Sequence, residues 1–314
     1  MHILTAADVA KALPYDALMD ALDQAFASDI EVPQRAHHDV AVPGGADGTL
    51  LLMPAWQPGG NLGVKIATVF PDNAQRSLPA VFASYFLADA ETGVPAAILD
   101  GTELTLRRTA AASALASRYL SRRESRTLLV VGTGNLAPHL VRAHAVARPI
   151  ERIIAWGRRR EAAEALVELL RRDGFDASVA TDLDTAIPEA DIISCATLSA
   201  TPLVRGALLH DGQHIDLVGA FRPDMREADG AALRRSAVYV DTRAGALAEA
   251  GDVLLAIEEG AISENDIRAE LADLATGRVS GRDDERVVTL FKSVGTALED
   301  LAAAELAIRN SKPG

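Results

Sequence analysis

The chain is poor in cysteine and in aromatic residues. One cysteine is present among 314 residues, and Phe, Trp and Tyr together make up 4% of the sequence. A single cysteine excludes an internal disulfide and suits a reducing compartment. Because Cys195 lies in an apolar stretch that is typical of a buried strand, we expect it to be a core thiol rather than a nucleophile.

Long apolar runs and an excess of basic residues are missing as well. No run is long enough to span a membrane, and no basic segment followed by an apolar core opens the chain. These absences predict a cytoplasmic protein with no membrane partner. The formal net charge of −13 argues against a nucleic-acid partner, because such a surface repels phosphate backbones. Spacings such as HExxH or CxxC are absent, so we predict no metal site.

The middle of the chain carries a glycine-rich turn of the kind that binds dinucleotides. Residues 128–131 have the pattern of a short buried strand, and a G-x-G-x-x-A motif follows them directly. Gly132 permits a tight turn, Gly134 lets the backbone approach a pyrophosphate, and Ala137 keeps the next helix close to the strand. The N-terminus of that helix would attract the phosphates, although an ordinary glycine turn is the alternative. The predicted cofactor contacts here are Gly132, Gly134, Asn135, Leu136 and Ala137.

Strand and helix patterns alternate around this turn. From residue 126 to about residue 240, apolar strand patterns alternate with helix patterns, which predicts an α/β fold with a Rossmann-like, doubly wound parallel sheet. Residues 1–120 mix strands and helices. We therefore expect a discontinuous α+β substrate domain, residues 1–120 plus 286–314, into which a Rossmann-like domain, residues 121–285, is inserted. The patterns also predict helices over 264–274 and 286–308.

The end of the second strand of the Rossmann-like domain bears on the choice of cofactor. Folds that select NAD usually carry an acidic residue about 20 residues after the glycines, where it binds the ribose hydroxyl. Here the strand ends in Trp156 and Gly157, and the first carboxylate is that of Glu161. Arg158 and Arg159 can instead pair with a 2′-phosphate. The sequence therefore predicts NADP(H) as the preferred cofactor, with NAD(H) possible, and a solvated basic helix start is the alternative.

Several segments, taken in their order along the chain, resemble the ornithine cyclodeaminase/mu-crystallin family. Besides the glycine turn they are Pro33-Gln34-Arg35, Leu51-Leu52-Met53-Pro54-Ala55, Gly63-Val64-Lys65, Asp89-x-x-Thr92-Gly93-x-Pro95, Leu104-Thr105-x-x-Arg108-Thr109-Ala110-Ala111 and Thr289-Leu290-Phe291-Lys292-Ser293-Val294-Gly295. The resemblance spans nearly the whole chain. It implies a homodimer in which the sheets of two substrate domains meet, and chemistry on an α-imino acid beside a nicotinamide ring.

The resemblance also implies roles for individual residues. Arg35, Lys65 and Arg108 match positions that hold the substrate carboxylate and act near the imine, and Met53 matches the substrate pocket. Two guanidinium groups can bind one carboxylate, and like charge near them lowers the pKa of an ammonium group. Lys65 lies in an apolar strand pattern, so if it faces inward it needs a carboxylate partner. The alternative is a surface lysine with two arginines in structural salt bridges.

Further cofactor contacts are expected in two other segments. Thr197 follows the strand of Cys195, where a nucleotide fold contacts the ribose. Val294 and Gly295 match a segment that lies against the nicotinamide, although a tight packing contact at the start of a helix is an equal alternative.

One loop, residues 218–227, departs from the family pattern. Cyclodeaminases carry an aspartate two residues before the proline of this loop, and Phe221 occupies that place here. Asp224 lies beyond the proline, and three roles stay open for it: facing solvent, capping the next segment or replacing the missing carboxylate. An apolar Phe221 in the substrate pocket suits a substrate whose ring is already closed.

These features lead to one main hypothesis about function. It is the NAD(P)H-dependent reduction of a cyclic ketimine carboxylate, Δ1-pyrroline-2-carboxylate or Δ1-piperideine-2-carboxylate, so that the expected partner is a small cyclic imino acid. The alternatives are an ornithine cyclodeaminase that uses tightly held NAD, an open-chain alanine dehydrogenase, and a non-catalytic NADPH-dependent ligand carrier like mu-crystallin.

Overall fold

The computed structural model describes residues 1–76 and 78–311, and the chain divides into two compact units. Unit 1 consists of Met1–Arg108 and Thr296–Gly314, and unit 2 of Thr109–Gly295. The sequence analysis placed the corresponding limits at 120/121 and 285/286. The first limit between the units falls inside a helix, Gly101–Leu120, so that this helix contributes to both units.

The strands and helices follow one another along the whole chain. The strands are β1 (His2–Leu4), β2 (Ala36–Val40), β3 (Gly48–Trp56), β4 (Asn61–Val69), β5 (Val81–Asp89), β6 (Pro95–Asp100), β7 (Thr127–Val131), β8 (Arg152–Trp156), β9 (Asp176–Val179), β10 (Ile192–Cys195), β11 (His214–Leu217), β12 (Ser236–Val240), β13 (Ile267–Glu270) and β14 (Val288–Lys292). The helices are α1 (Ala6–Ala12), α2 (Tyr15–Phe26), α3 (Gly101–Leu120), α4 (Ala137–Ala147), α5 (Arg160–Arg172), α6 (Leu183–Ala186), α7 (Gly230–Arg235), α8 (Arg243–Glu249), α9 (Gly251–Glu258), α10 (Leu271–Ala275) and α11 (Ala297–Ser311).

Unit 1 is built on a mixed sheet. Among its described residues the strand order is β1-β6-β5-β4-β3-β2, with β1 parallel to β6 and the other neighbours antiparallel. Helix α11 packs against β3, β4 and β5 and against α1 and α2. Its alanines Ala303, Ala304 and Ala307 are buried, and such small side chains let the helix approach the sheet closely.

Unit 2 is a parallel sheet with helices on its two faces. The strand order over the described residues is β13-β12-β14-β11-β10-β7-β8-β9, and every pairing is parallel. From β7 the chain moves outward through β8 and β9, and then returns to β10 on the other side of β7. This reversal defines a topological switch point between β7 and β10, where doubly wound folds bind their ligands. The Rossmann-like fold predicted from the sequence is confirmed.

Two helix predictions are wrong, in the same way. Residues 288–292 form β14, and helix α11 begins only at Ala297. Residues 267–270 form β13 rather than part of a helix over 264–274. Both segments add parallel strands to the sheet, β14 between β11 and β12 and β13 at the edge beside β12. Pairing with distant strands therefore outweighed the helical pattern of the neighbouring residues.

Two smaller expectations concern Cys195 and membrane insertion. Cys195 is completely buried in β10, as predicted for a core thiol, and burial raises the pKa of its thiol well above the ordinary value. Within residues 1–76 and 78–311, no helix combines the length and apolar character needed to cross a membrane.

Candidate active site

Four charged side chains meet in the interior of unit 1, and we call them the Lys65 cluster. Its members are Lys65 on β4, Arg108 on α3, and Glu299 and Asp300 in the first turn of α11, each at most 5% exposed. The Nζ atom of Lys65 lies 2.8 Å from Oδ2 of Asp300. Arg108 donates from Nε to Oδ1 of Asp300 at 2.9 Å and from Nη1 to Oε2 of Glu299 at 2.5 Å. Two cations are thus balanced by two carboxylates.

The sheet register places Lys65 between two other buried side chains. Lys65 pairs with Met53 on β3 and with Tyr85 on β5, and all three lie on the face that α11 covers. The hydroxyl of Tyr85 lies so close to Gly63 that a Cβ there would overlap it. The glycine of the Gly63-Val64-Lys65 segment is therefore required by the packing of Tyr85.

Burial and the neighbouring charges shift the ionisation of this cluster. Burial lowers the pKa of Lys65 to about 8, and the guanidinium of Arg108 acts in the same direction, while Asp300 opposes both. Burial alone would also lower the pKa of Arg108, but Asp300 and Glu299 outweigh it and raise that pKa. Burial, together with Asp300, raises the pKa of Tyr85 well above its ordinary value. Lys65 is therefore a group that can exchange a proton near neutral pH.

The structure brings together some of the predicted residues of unit 1 and adds others. Lys65 and Arg108 share one cluster with Asp300, and Met53 lies beside Lys65 in the sheet. Arg35 directly precedes β2, whose first residue pairs with Leu52, the neighbour of Met53. The analysis of the sequence missed Glu299 and Asp300. Two features of the sequence could have indicated them. Glu299 and Asp300 are adjacent carboxylates in an alanine-rich segment, and an inward-facing Lys65 needs an anionic partner.

The glycine turn of unit 2 has the geometry that a pyrophosphate needs. Gly132 has a φ of +116°, and a Cβ there would lie 2.5 Å from the carbonyl oxygen of Ala196. A Cβ at Gly134 would meet no atom within 4 Å, so this position opens to a ligand. Helix α4 begins at the buried Ala137, and its N-cap, Leu136, makes no side-chain capping bond. The turn therefore fits a dinucleotide phosphate at the switch point.

A pocket of about 270 Å³ lies beside this turn at the ends of β8 and β9. Trp156, Gly157 and Arg158 line one side of it. Arg160 lines the pocket too, and its Nε atom lies 2.8 Å from a carboxylate oxygen of Glu164. No carboxylate among residues 1–76 and 78–311 pairs with Arg158 or with the exposed Arg159. The pocket is thus basic on the side where the ribose of a bound dinucleotide is expected.

Buried carboxylates bind the predicted cofactor loops at the other side of the switch point. Glu227 accepts hydrogen bonds from the backbone N–H and the hydroxyl of Thr197, at 2.6 and 2.8 Å. Asp241 accepts from the N–H groups of Val294 and Gly295, at 2.8 and 2.7 Å. The segment of Val294 and Gly295 follows a strand rather than opening a helix. The sequence analysis missed Glu227 and Asp241, and no local pattern marks them.

The loop of Phe221 resolves the question left open about Asp224. Asp224 forms an exposed ion pair with Arg222 of the same loop, at 2.8 Å, and this pairing lowers the pKa of the carboxyl. Phe221 is 45% exposed and follows Ala220, the one non-glycine residue in the described part of the chain with a positive φ, +49°. Asp224 therefore faces solvent, one of the three roles considered.

A doubly wound parallel sheet with a glycine turn at its switch point defines a dinucleotide-binding protein of the Rossmann-like class. The sequence match is more specific, because residues 1–312 match the model of the ornithine cyclodeaminase/mu-crystallin family. The chain belongs to that family, and the resemblance stated from the sequence is confirmed.

Similar proteins and solved structures match nearly the whole chain. An uncharacterised protein of Schizosaccharomyces pombe is 44% identical over 98% of this chain and 97% of its own length. A Δ1-pyrroline-2-carboxylate reductase of Colwellia psychrerythraea is 39% identical over 97% of both chains.

Solved structures extend the same comparison. The Δ1-pyrroline-2-carboxylate reductase of Thermococcus litoralis, in complex with NADH and L-proline, has a TM-score of 0.93 and 33% identity, over 99% of this chain and 97% of that one. An archaeal alanine dehydrogenase dimer with bound NAD has a TM-score of 0.91 and 29% identity, over 99% and 96%.

Proposed function

We propose that this protein reduces a cyclic ketimine carboxylate, Δ1-pyrroline-2-carboxylate or Δ1-piperideine-2-carboxylate, to L-proline or L-pipecolate with NADPH, or less well with NADH. The observation that carries the proposal is the Lys65 cluster, in which an ammonium group with a lowered pKa lies next to a fully charged guanidinium. Two proteins that match this chain over nearly its full length, one in sequence and one in structure, are Δ1-pyrroline-2-carboxylate reductases.

In this proposal Arg108 binds the substrate carboxylate. Its bonds to Asp300 and Glu299 use Nε and Nη1, which fixes the plane of the guanidinium and assigns Nη2 to the substrate. Arg35 supplies the second guanidinium. A carboxylate fixed in this way orients the adjoining C=N bond, and such positioning supplies a large part of the rate enhancement in reactions of this kind.

Lys65 supplies the proton. A nicotinamide held near Thr197, Val294 and Gly295 would supply a hydride to C2 of the substrate. The Nζ atom of Lys65 donates a proton to the imine nitrogen, so the C=N bond becomes a CH–NH bond, and Lys65 then regains its proton from water. Asp300, at 2.8 Å, holds the ammonium group in place and opposes the loss of its proton.

The residues proposed to hold the cofactor all belong to unit 2. Gly132, Gly134 and the start of α4 would bind the pyrophosphate, and Arg158 with Arg159 a 2′-phosphate. Thr197, Val294 and Gly295 would line the site of the nicotinamide half. The preference for NADPH rests on Arg158, which lines the pocket at the end of β8 and has no carboxylate partner among residues 1–76 and 78–311.

Replacing single arginines tests this cofactor preference. Arg158→Ala should raise the Kd for NADPH about tenfold and leave that for NADH within about twofold, because it removes one charge-assisted contact to the 2′-phosphate. Arg160→Ala, which removes an arginine that lines the same pocket but pairs with Glu164, is the matched control. An equal affinity of wild type and Arg158→Ala for NADPH would contradict the preference.

The reaction itself is tested with purified protein. Oxidation of NADPH and of NADH is followed by absorbance with each cyclic imine, with pyruvate plus ammonia, and with ornithine in the absence of reductant. We expect turnover with a cyclic imine. No oxidation with either ring size would contradict the proposal, and release of ammonia from ornithine would assign the protein as a cyclodeaminase, although Phe221 and the surface pairing of Asp224 argue against that outcome.

We propose a homodimer formed through the outer face of the sheet of unit 1. Ile3 and Ile98 pair across β1 and β6 on that face, and Ile66 and Phe82 lie on it too; all four are at least 38% exposed. Exposed apolar surface of this kind marks association sites. Light scattering should give the mass of a dimer, and Ile98→Asp should give that of a monomer.

We propose a cytoplasmic location, which rests on one buried thiol in a chain without disulfides. Fractionation of cells that express the tagged full chain tests it.

A further inference from the structure

Unit 2 contains a second buried charge cluster, which the proposed reaction does not use. Its centre is Lys292 at the end of β14, which is completely buried. Nζ of Lys292 donates to the carbonyl oxygen of Gly219 and lies 3.1 Å from Oδ2 of Asp252. Burial raises the pKa of Asp241 and of Glu227, and the charge of the same ammonium group acts against this rise in both. We call Lys292, Asp241, Asp252 and Glu227 the Lys292 cluster.

Each carboxylate of the Lys292 cluster binds backbone N–H groups of a loop. Asp241 binds the N–H groups of Val294 and Gly295 through Oδ2, and that of Thr242 through Oδ1 at 2.7 Å. Asp252 binds the N–H groups of Glu227 and Ala228 through Oδ1, at 2.7 and 2.9 Å.

Glu227 joins two further loops. Its Oε1 atom accepts both hydrogen bonds from Thr197, and a Cβ at Gly219 would lie 2.5 Å from that atom. The loops of Thr197 and Gly219 are therefore packed tightly on the Glu227 carboxylate.

The loops held in this way follow the carboxyl ends of β10, β11, β12 and β14. A dinucleotide in a doubly wound sheet lies across these ends, with its pyrophosphate at the turn after the first strand. The basic pocket at the end of β8 lies on one side of that turn and suits the adenosine half. The loops of the Lys292 cluster lie on the other side, where the nicotinamide half must extend.

The cluster carries more negative charge than packing alone requires. One ammonium group faces three carboxylates, and all four side chains are at most 1% exposed. An excess of buried charge is costly, and apolar residues of similar size would fill the same space at lower cost. The carboxylates are, however, strong acceptors for backbone N–H groups that a buried loop must otherwise leave unpaired.

We propose that Lys292, Asp241, Asp252 and Glu227 are positioning residues that fix the loops of Thr197, Gly219 and Val294 for the nicotinamide half of the cofactor. The inference rests on the proposed function insofar as it assumes a nicotinamide dinucleotide. These residues act through the backbone of the loops and do not touch the reacting atoms.

The test compares two buried aspartates of the same sheet. Asp241→Ala removes the acceptor for Val294 and Gly295. Asp216→Ala is the matched control, because Asp216 is equally buried but binds Ser194 and His144 inside the sheet. Kd values are measured by calorimetry for NADH and NADPH and for their nicotinamide-free counterparts, ADP-ribose and 2′-phospho-ADP-ribose, and Tm is measured for every variant.

Asp241→Ala should raise the Kd for NADH and NADPH about tenfold and leave that for the nicotinamide-free compounds within about twofold. Asp241→Asn, which restores one acceptor oxygen, should recover most of the affinity. Asp216→Ala should lower Tm and leave all four Kd values unchanged. If Asp241→Ala weakens all four compounds equally, or none, the cluster is a structural element only and the proposal is overturned.

Glu227→Met keeps the test decisive if Asp241→Ala does not fold. This substitution removes a buried charge that lacks a full counter-charge, so we expect folded protein. Its Kd for NADH and NADPH should still rise about tenfold, since the loop of Thr197 loses its acceptor. An unchanged Kd in folded Glu227→Met would overturn the proposal. Failure of the wild-type protein to bind any dinucleotide would instead contradict the proposed function.

Discussion

The two buried charge clusters of this protein both combine a lysine with aspartate and glutamate, and they differ in what their carboxylates bind. In the Lys65 cluster of unit 1, two cations meet two carboxylates, and the bonds among these four residues join side chain to side chain. In the Lys292 cluster of unit 2, one cation meets three carboxylates, and most of their bonds go to backbone N–H groups.

This difference separates two uses of buried charge. A balanced cluster fixes the position and the proton affinity of side chains that can then act on a ligand. An unbalanced cluster bonded to loops fixes the course of the backbone. Substitutions of similar chemistry should therefore have different consequences in the two units.

The largest expected effect is on turnover. Lys65→Met should lower kcat for the cyclic imine about 1000-fold, because the proton donor is removed, while the Kd for L-proline changes little. Lys11→Met, at an exposed lysine of α1, is the control. A ligand carrier would show no turnover in the wild type, and retention of full turnover by Lys65→Met would contradict its role as proton donor.

The next effect is on the free energy of unfolding, and its size separates the two clusters. Asp300→Asn removes an anion shared by Lys65 and Arg108, which should cost about 3 kcal/mol of unfolding free energy, as is usual when one partner of a buried pair is removed. Glu227→Gln removes one of three carboxylates from a cluster with a single cation, and should cost much less. Urea unfolding measures both, with the exposed Asp29→Asn as the control. Equal losses of unfolding free energy in Asp300→Asn and Glu227→Gln would contradict the distinction between a balanced and an unbalanced cluster.

The pH profile of the reaction tests the role of Asp300 more finely. Because Lys65 must be protonated to donate, and burial lowers its pKa to about 8, kcat/KM should fall as the pH rises above about 8. Asp300 holds this pKa up, so in Asp300→Asn the fall should begin at lower pH. Asp29→Asn should leave the profile unchanged. A profile that does not move in Asp300→Asn would show that Lys65 is not the titrating group.

Local features of the fold and of the Lys65 cluster could be predicted from the sequence, and non-local ones could not. The glycine turn is readable because backbone geometry dictates the residue types of a few consecutive positions, and Gly132 has the positive φ that such a turn needs. Lys65 and Arg108 were found through short segments in a characteristic order. Asp300 was not, because it lies 192 residues from Arg108 and pairs with it only when α11 packs on the sheet.

The Lys292 cluster was hidden for a related reason. Lys292 ends a strand that the sequence analysis placed inside a helix, since the alanine-rich residues of α11 extend the helical pattern toward the N-terminus. The strand β14 exists because β11 and β12 pair with it on both sides. The hydrophobic pattern along the chain does not indicate which distant strands pair. The sequence therefore could not connect Asp241 or Glu227 with the loops that they bind.

The effect that is smallest for a single pH unit is the dependence of stability on pH that Glu227 introduces. Burial raises its pKa from 4.5 to about 7, and Lys292 opposes this rise only in part. The folded protein then binds more protons than the unfolded chain between these values, so the contribution of Glu227 to stability is complete below pH 4.5 and is lost as the pH rises through 7. The loss amounts to at most about 1.4 kcal/mol per pH unit.

The difference in unfolding free energy between wild type and Glu227→Gln, measured by urea unfolding across this range, should therefore fall as the pH increases. If the difference in unfolding free energy stays constant over this range, the Glu227 carboxylate is ionised throughout. The negative charge of the Lys292 cluster would then be balanced, as it is in the Lys65 cluster.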